Sequence, residues 1–167
     1  MRESYYKVET KWPQFELMLK EAEELATELD GNSTVLILER SYFCGGYSLL
    51  GPIFSHCNVI CVDCVVGSAV KTFGKQLSWL DDERFIKWRP NYVNEISALD
   101  SIESGSVDCV YVPNVVHHER EQRKMFKELY RVTRDGGVCS IFEGLVRELH
   151  HLPDDYLRYT PYGMQHM

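Results

Sequence analysis

No apolar run in this 167-residue chain approaches the ~20 residues that a bilayer-spanning helix needs. The N-terminal stretch, MRESYYKVETKWP, carries no apolar core of the signal-peptide kind. Those absences argue against a membrane span and leave a cytoplasmic chain as the expectation. Positive charge is scarce as well: 18 Lys and Arg stand against 25 Asp and Glu, a net charge of -7. Phosphate binding needs a basic footprint, so nucleic acid is excluded as the main partner. The six cysteines include one Cys61-x-x-Cys64 pair, with no second pair and no spaced histidine pair beside it. Four ligands for a structural zinc site are therefore not supplied. Core packing is the expectation for Cys61, Cys64, Cys109 and Cys139, which lie in or beside apolar runs. A Gly-x-Gly-x-x-Gly fingerprint is missing too, which argues against a nucleotide-dependent oxidoreductase. Repeats, low-complexity segments and linkers are absent, so one domain is the economical reading.

What is present suits an ordinary globular domain, with 44% apolar and 26% charged residues. The reading divides the chain into an arm (1–12), a covering helix (13–30), a core (31–145) and a C-terminal loop with a partial helix (146–167). Pro13 suits a first helical turn. Phe15, Met18, Leu19, Ala22, Leu25, Ala26 and Leu29 then follow at helical spacing until Asp30-Gly31-Asn32. Short apolar runs at 35–38, 59–62, 107–112 and 138–142 read as strands. A further strand lies at 85–88 or at 92–94. Segments 47–54 and 68–80 can be helical. The stretch from Ser106 to Glu143 is the most legible: strand, polar loop, charged amphipathic helix, Asp135-Gly136-Gly137 turn, strand. That is a βαβ unit with a right-handed crossover. The predicted fold is α/β, a doubly wound Rossmann-like sheet with strands mostly parallel. Its ligand edge is the carboxyl edge of the strands.

Two acids end successive strands on that edge, Glu39 and Asp63. A carboxylate at the end of the second strand can accept both hydroxyl hydrogens of a ribose. Glycines after the first strand let backbone approach a nucleoside. The plainer reading of Asp63 is a solvated loop charge. By themselves these residues imply a nucleoside-containing ligand and nothing finer.

Four segments then resemble the class I S-adenosylmethionine-dependent methyltransferases, type 11 group. They are Val35-Leu36-Ile37-Leu38-Glu39 with Gly45-Gly46, Val59-Ile60-Cys61-Val62-Asp63, the run from Ser104 to His118, and Phe126-Lys127-Glu128-Leu129-Tyr130-Arg131-Val132 with Asp135-Gly136-Gly137. A fifth, Pro153-Asp154-Asp155-Tyr156-Leu157-Arg158-Tyr159-Thr160-Pro161-Tyr162-Gly163, resembles a subgroup linked to surface polysaccharide or glycolipid genes. The resemblance implies S-adenosyl-L-methionine as cofactor and methyl transfer to a small molecule or glycan. It implies that Glu39 helps hold the methionine amino group and that Gly45 and Gly46 line methionine and ribose. Asp63 would bind the ribose hydroxyls with Cys64 beside the adenine. Glu95 and Ile96 stand where the family has an acid and an apolar residue against the adenine, and Asn114 and Val115 line the pocket after strand four. A sulfonium is already an activated electrophile, so no metal is expected. His117 and His118 are the candidate general bases for an oxygen acceptor, with packing or capping as the plain alternative. His150 and His151 can face the pocket from the far side.

Two departures shape the expectations. Glu39-Arg40-Ser41-Tyr42-Phe43-Cys44-Gly45-Gly46 replaces the usual Gly-x-Gly-x-Gly, placing bulk where the family has little or none. The family's last strands have no counterpart before Met167, which would leave strand five as an apolar edge inviting self-association, a homodimer. Both features favour a second reading, a catalytically inactive methyltransferase-like binding or assembly module.

Overall fold

The computed structural model describes residues 13–40, 48, 50–64, 88–146, 148–150 and 152–167. The strands are β1 (Thr34–Glu39), β2 (Asn58–Cys64), β3 (Tyr92–Asn94), β4 (Val107–Pro113) and β5 (Thr133–Phe142). They form one sheet in the order β3-β2-β1-β4-β5, with every pairing parallel. The Rossmann-like fold expected from the sequence is therefore observed. Of the two candidates for the third strand, Tyr92–Asn94 is the one that pairs, with Asn94 opposite Cys64.

Side chains alternate along each strand, and both sheet faces are covered, so the central strands read as continuous apolar runs. On one face Val35, Ile37, Cys61, Cys109 and Tyr111 pack against Met18, Leu19, Ala22 and Ala26 of α1 (Pro13–Thr27). On the other, Leu36, Leu38, Val62, Val110 and Val112 pack against Met125, Leu129 and Val132 of α2 (Gln122–Val132). Fully burying each such aliphatic side chain is worth about 1.5–3 kcal/mol. Helix α1 stops at Thr27, short of the expected residue 30. Asp30 draws the chain into a turn there, its Oδ1 accepting the N–H groups of Asn32 (2.8 Å) and Ser33 (3.0 Å). Residues 51–54 of the segment 47–54, which could be helical, instead form turns together with 55–56, closed by Ile53 N–H to Leu50 O (2.9 Å) and Cys57 N–H to Phe54 O (2.9 Å). The helix expected at 68–80 lies outside the described residues.

The cysteines divide. Cys61 and Cys64 are both buried on β2, three residues apart, so they point to opposite sheet faces and belong to different core clusters. One metal ion or one disulfide cannot join them. Burial pushes the thiol pKa values of Cys61 and Cys109 up to about 12, so both stay protonated. Cys139 departs from the expectation of core packing: it is exposed on β5. That strand is an edge among the described residues, and Val138 beside it is 49% exposed.

Strand β5 also starts earlier than expected, at Thr133, because α2 runs directly into it. Val107 pairs with Thr133 but Cys109 pairs with Val138, so Asp135-Gly136-Gly137 bulges out of the ladder. Gly136 takes φ +75°, and a Cβ on Gly137 would stand 2.9 Å from the Asp108 carbonyl oxygen. Both glycines are needed for this bulge. Near it, Arg131 donates to the Leu99 and Ile102 carbonyls (both 2.9 Å) and to Glu128, which accepts the Leu99 N–H (3.0 Å). The segment most characteristic of the family resemblance thus braces the approach to β4, at the edge opposite the ligand edge.

Asp108 closes that lower edge. Its Oδ2 accepts the Thr34 N–H (2.8 Å), and its Oδ1 accepts from Arg134 Nε. The Thr34 N–H first, then the Arg134 guanidinium, hold the carboxyl below the usual carboxylate range. The folded-state pKa lies below the unfolded one, so this stabilisation is full above about pH 4 and is lost as pH falls through the folded value. Asp108→Asn is expected to lower stability at neutral pH, with the gap to the parent protein closing in acid. Urea unfolding at a series of pH values checks this.

Candidate functional site

The register places the chemistry. Glu39 pairs with Asp63 at the ends of β1 and β2, and Pro113 pairs with Phe142 at the ends of β4 and β5. The strand order reverses between β1 and β4, which makes their carboxyl ends the crevice of the fold.

On the β1–β2 side, Asp63 is half-buried and Glu39 buried. Cys64 and Ile96 lie in the apolar cluster beneath them, and Glu95 is exposed at a turn closed by Ala98 N–H to Glu95 O (2.9 Å). Arg40, directly after β1, is only 5% exposed, and its charge bears on both Cys64 and His118. The bulk that replaces the family's glycine is therefore turned inward here. Gly45, Gly46, Tyr42 and Phe43 lie outside the described residues.

The β4–β5 side is more elaborate. Asn114 adopts φ +56°, a left-handed conformation that asparagine tolerates, and its N–H donates to the Phe142 carbonyl (2.6 Å). The chain then turns through buried Val115 into a 3-10 turn, Val116–His118. His117 has no exposed surface, and His118 is 4% exposed. The His117 Nδ1 lies 2.7 Å from Glu143 Oε1, and its backbone N–H donates to Glu143 Oε2 (3.3 Å). Its Nε2 lies 3.1 Å from His150 Nε2. The His118 Nδ1 hydrogen-bonds the Asp154 carbonyl, and its ring lies 3.9 Å from that of His117, centroid to centroid. Burial first, and then His117, push the His118 imidazole down to about 2, so it stays neutral. His150 completes the group, its Nδ1 3.1 Å from both Asp155 Oδ2 and the Glu148 carbonyl.

The C-terminal segment straps this cluster down. The Tyr156 N–H donates to the His117 carbonyl (2.9 Å). Tyr159 OH donates to Gln122 Oε1 (2.7 Å), and Gln122 Nε2 donates to the Val116 carbonyl (2.9 Å). Asp155 has no exposed side-chain surface; it accepts the His150 N–H (3.0 Å) and both Arg158 Nη groups. Arg158 holds the Asp155 carboxyl far below its ordinary range. Of these residues the sequence reading named the three histidines but gave Glu143, Asp155 and Arg158 no role. Glu143 was findable as the first acid after β5, by the same logic that singled out Glu39 and Asp63.

Fold and edge together define a doubly wound α/β domain with a crevice at the carboxyl ends of β1, β2 and β4. The type 11 methyltransferase-domain family model matches residues 44–141, more than half of the chain, and the chain belongs to that family, within the class I methyltransferases. Members of the family generally bind S-adenosylmethionine. No curated protein matches the chain. Among the described residues no helix is long and apolar enough to cross a membrane.

Arg158→Ala would leave the Asp155 carboxylate buried without its cation. A loss of about 3 kcal/mol is expected from such an uncompensated charge. A lowered urea midpoint, together with faster proteolytic cleavage within residues 148–159, would show it.

Proposed function

We propose that the chain is an S-adenosylmethionine-dependent methyltransferase whose acceptor is a hydroxyl-bearing small molecule or glycan, working in the cytoplasm. The observation that carries this reading is the Glu39–Asp63 pairing at the ends of adjacent central strands, with Asp63 half-open to solvent. A half-exposed carboxylate there fits the cofactor's ribose, whose two hydroxyls it can accept. Glu39 would help orient the methionine amino group through nearby backbone and water. Gly45, Gly46, Cys64, Glu95, Ile96, Asn114 and Val115 complete the proposed cofactor site.

When bound, the cofactor supplies a methyl group already activated on a sulfonium. The protein's work is therefore alignment and exclusion of water. Asp63 and Glu39 fix one partner over β1 and β2, and the turn 114–118 walls the space over β4. The base role first assigned to His117 or His118 finds less support. His117 is wholly buried with both ring nitrogens engaged, by Glu143 and His150. His118 is held neutral down to a pKa of about 2, which makes it a weak base. In our reading the two rings shape the acceptor side without taking its proton directly. Self-association through β5 belongs to the same proposal, motivated by that strand's place at the sheet edge and the exposure of Val138. The inward Arg40 is the feature that favours an inactive binding module instead.

Calorimetric titration with S-adenosylmethionine and S-adenosylhomocysteine separates these readings. Binding of both is expected, with Asp63→Ala weakening it at least about tenfold, as loss of a hydrogen bond to a charged group implies. Absence of binding at millimolar ligand would leave the binding-module reading in place.

A further inference from the structure

We propose that His117, His118 and His150 form a binding site for a transition-metal dication of the zinc type. The ligand atoms of the three rings lie within 4.8 Å of one another, in a pocket where two of the rings are buried and the third is half-buried. Each ring has its Nδ1 against an oxygen that accepts from it: Glu143 Oε1 at 2.7 Å for His117, Asp155 Oδ2 at 3.1 Å for His150, and the Asp154 carbonyl for His118. A carbonyl or an ionised carboxylate can only accept, so Nδ1 carries the proton in the neutral form of each ring. The lone pair then sits on Nε2. Two of those nitrogens, on His117 and His150, stand 3.1 Å apart. Two lone pairs facing at that distance repel unless a cation lies between them.

A metal ion answers this geometry. Metal–nitrogen distances of about 2.0–2.1 Å give ligand–ligand separations of roughly 3.0–3.4 Å around one ion, and the His117 and His150 nitrogens already stand 3.1 Å apart. Carboxylates on the far nitrogens of His117 and His150 are the usual support of metal-bound histidine, fixing tautomer and ring orientation. Three imidazoles select zinc-like or softer dications over magnesium and calcium, which prefer oxygen. Three protein ligands also leave a coordination position for an oxygen donor. The site lies just past the end of β4, so that donor can be the hydroxyl of the acceptor; this last step rests on the methyltransferase reading, while metal binding does not. The alternative occupant is a proton shared between His117 and His150.

The test uses the full chain, stripped with a chelator and free of S-adenosylmethionine. Titration with Co2+ should produce visible ligand-field absorption at one equivalent, and Zn2+ should displace it. His150→Ala should weaken Zn2+ binding at least about a hundredfold and abolish the Co2+ spectrum. Glu143→Gln, which keeps all three ligands, should weaken Zn2+ by about 10–100-fold. Cys139→Ser, at an exposed thiol away from the cluster, should change nothing. A Zn2+-induced rise in melting temperature, lost in His150→Ala, confirms the site in variants that remain folded by circular dichroism. Lack of binding at metal excess would overturn the proposal, as would affinity unchanged in both His150→Ala and Glu143→Gln. Neither result bears on the cofactor titration, which is read separately.

Discussion

The last rung of the β4–β5 ladder fixes the candidate site. Pro113 lies opposite Phe142, and one residue later the Asn114 N–H closes on the Phe142 carbonyl at 2.6 Å. Asn114 then takes its left-handed conformation, and the turn sends the chain back over the sheet edge as 116–118. Glu143, the next residue on the other strand, is thereby brought within 2.7 Å of His117. A one-residue slip of the β4–β5 register would have put Glu143 on the other face. The contact between Glu143 and His117 is thus a consequence of backbone register, set by apolar strands.

The strap over this edge depends on that rung in turn. Tyr156 can donate to the His117 carbonyl only because the 3-10 turn exposes it, and Asp154 meets His118 from the same segment. Asp155 then faces His150 and Arg158, and Tyr159 reaches Gln122 at the start of α2. The strap therefore joins β4, β5 and α2 largely through polar bonds, where the sheet and its helices are joined mainly by apolar packing. Polar joints of this kind cost dearly when half-made, since a buried carboxylate or imidazole left alone is far more expensive than a lost methyl contact. The segment 148–159 is consequently specified by its charged residues, and substitutions there trade site geometry and stability together.

What could be read in advance follows the same division. The strands at 35–38, 59–62 and 107–112 were legible because both faces of a parallel sheet are buried, which writes an unbroken apolar run into the sequence. Tyr92–Asn94 was ambiguous because it is short and mostly exposed, with no such run to mark it. Glu39 and Asp63 were legible because an acid ending an apolar run is a local signal. Glu143 ends such a run as well, but its meaning comes from a residue 26 positions away. His150 and Asp155 are harder still: nothing local says that a polar C-terminal segment folds back on β4. Cys139 misled for a related reason, because an apolar neighbourhood in sequence does not tell an edge strand from a central one.

The two halves of the edge also carry different kinds of information. Family membership rests on residues 44–141, and within them Glu128, Arg131 and the Gly136-Gly137 bulge act at the base of β4, away from the carboxyl edge of the sheet. Those residues serve the fold. The His118–His150–Asp155 contacts reach beyond residue 141, into a segment the family model does not match. The Glu39–Asp63 pair sits over β1 and β2, while the histidine cluster sits over β4 and β5, across the switch point from it. Residues 143–159 are therefore where this chain departs from apolar packing, because His150 and the buried Asp155 there meet His117 and His118 of the common core in one polar group.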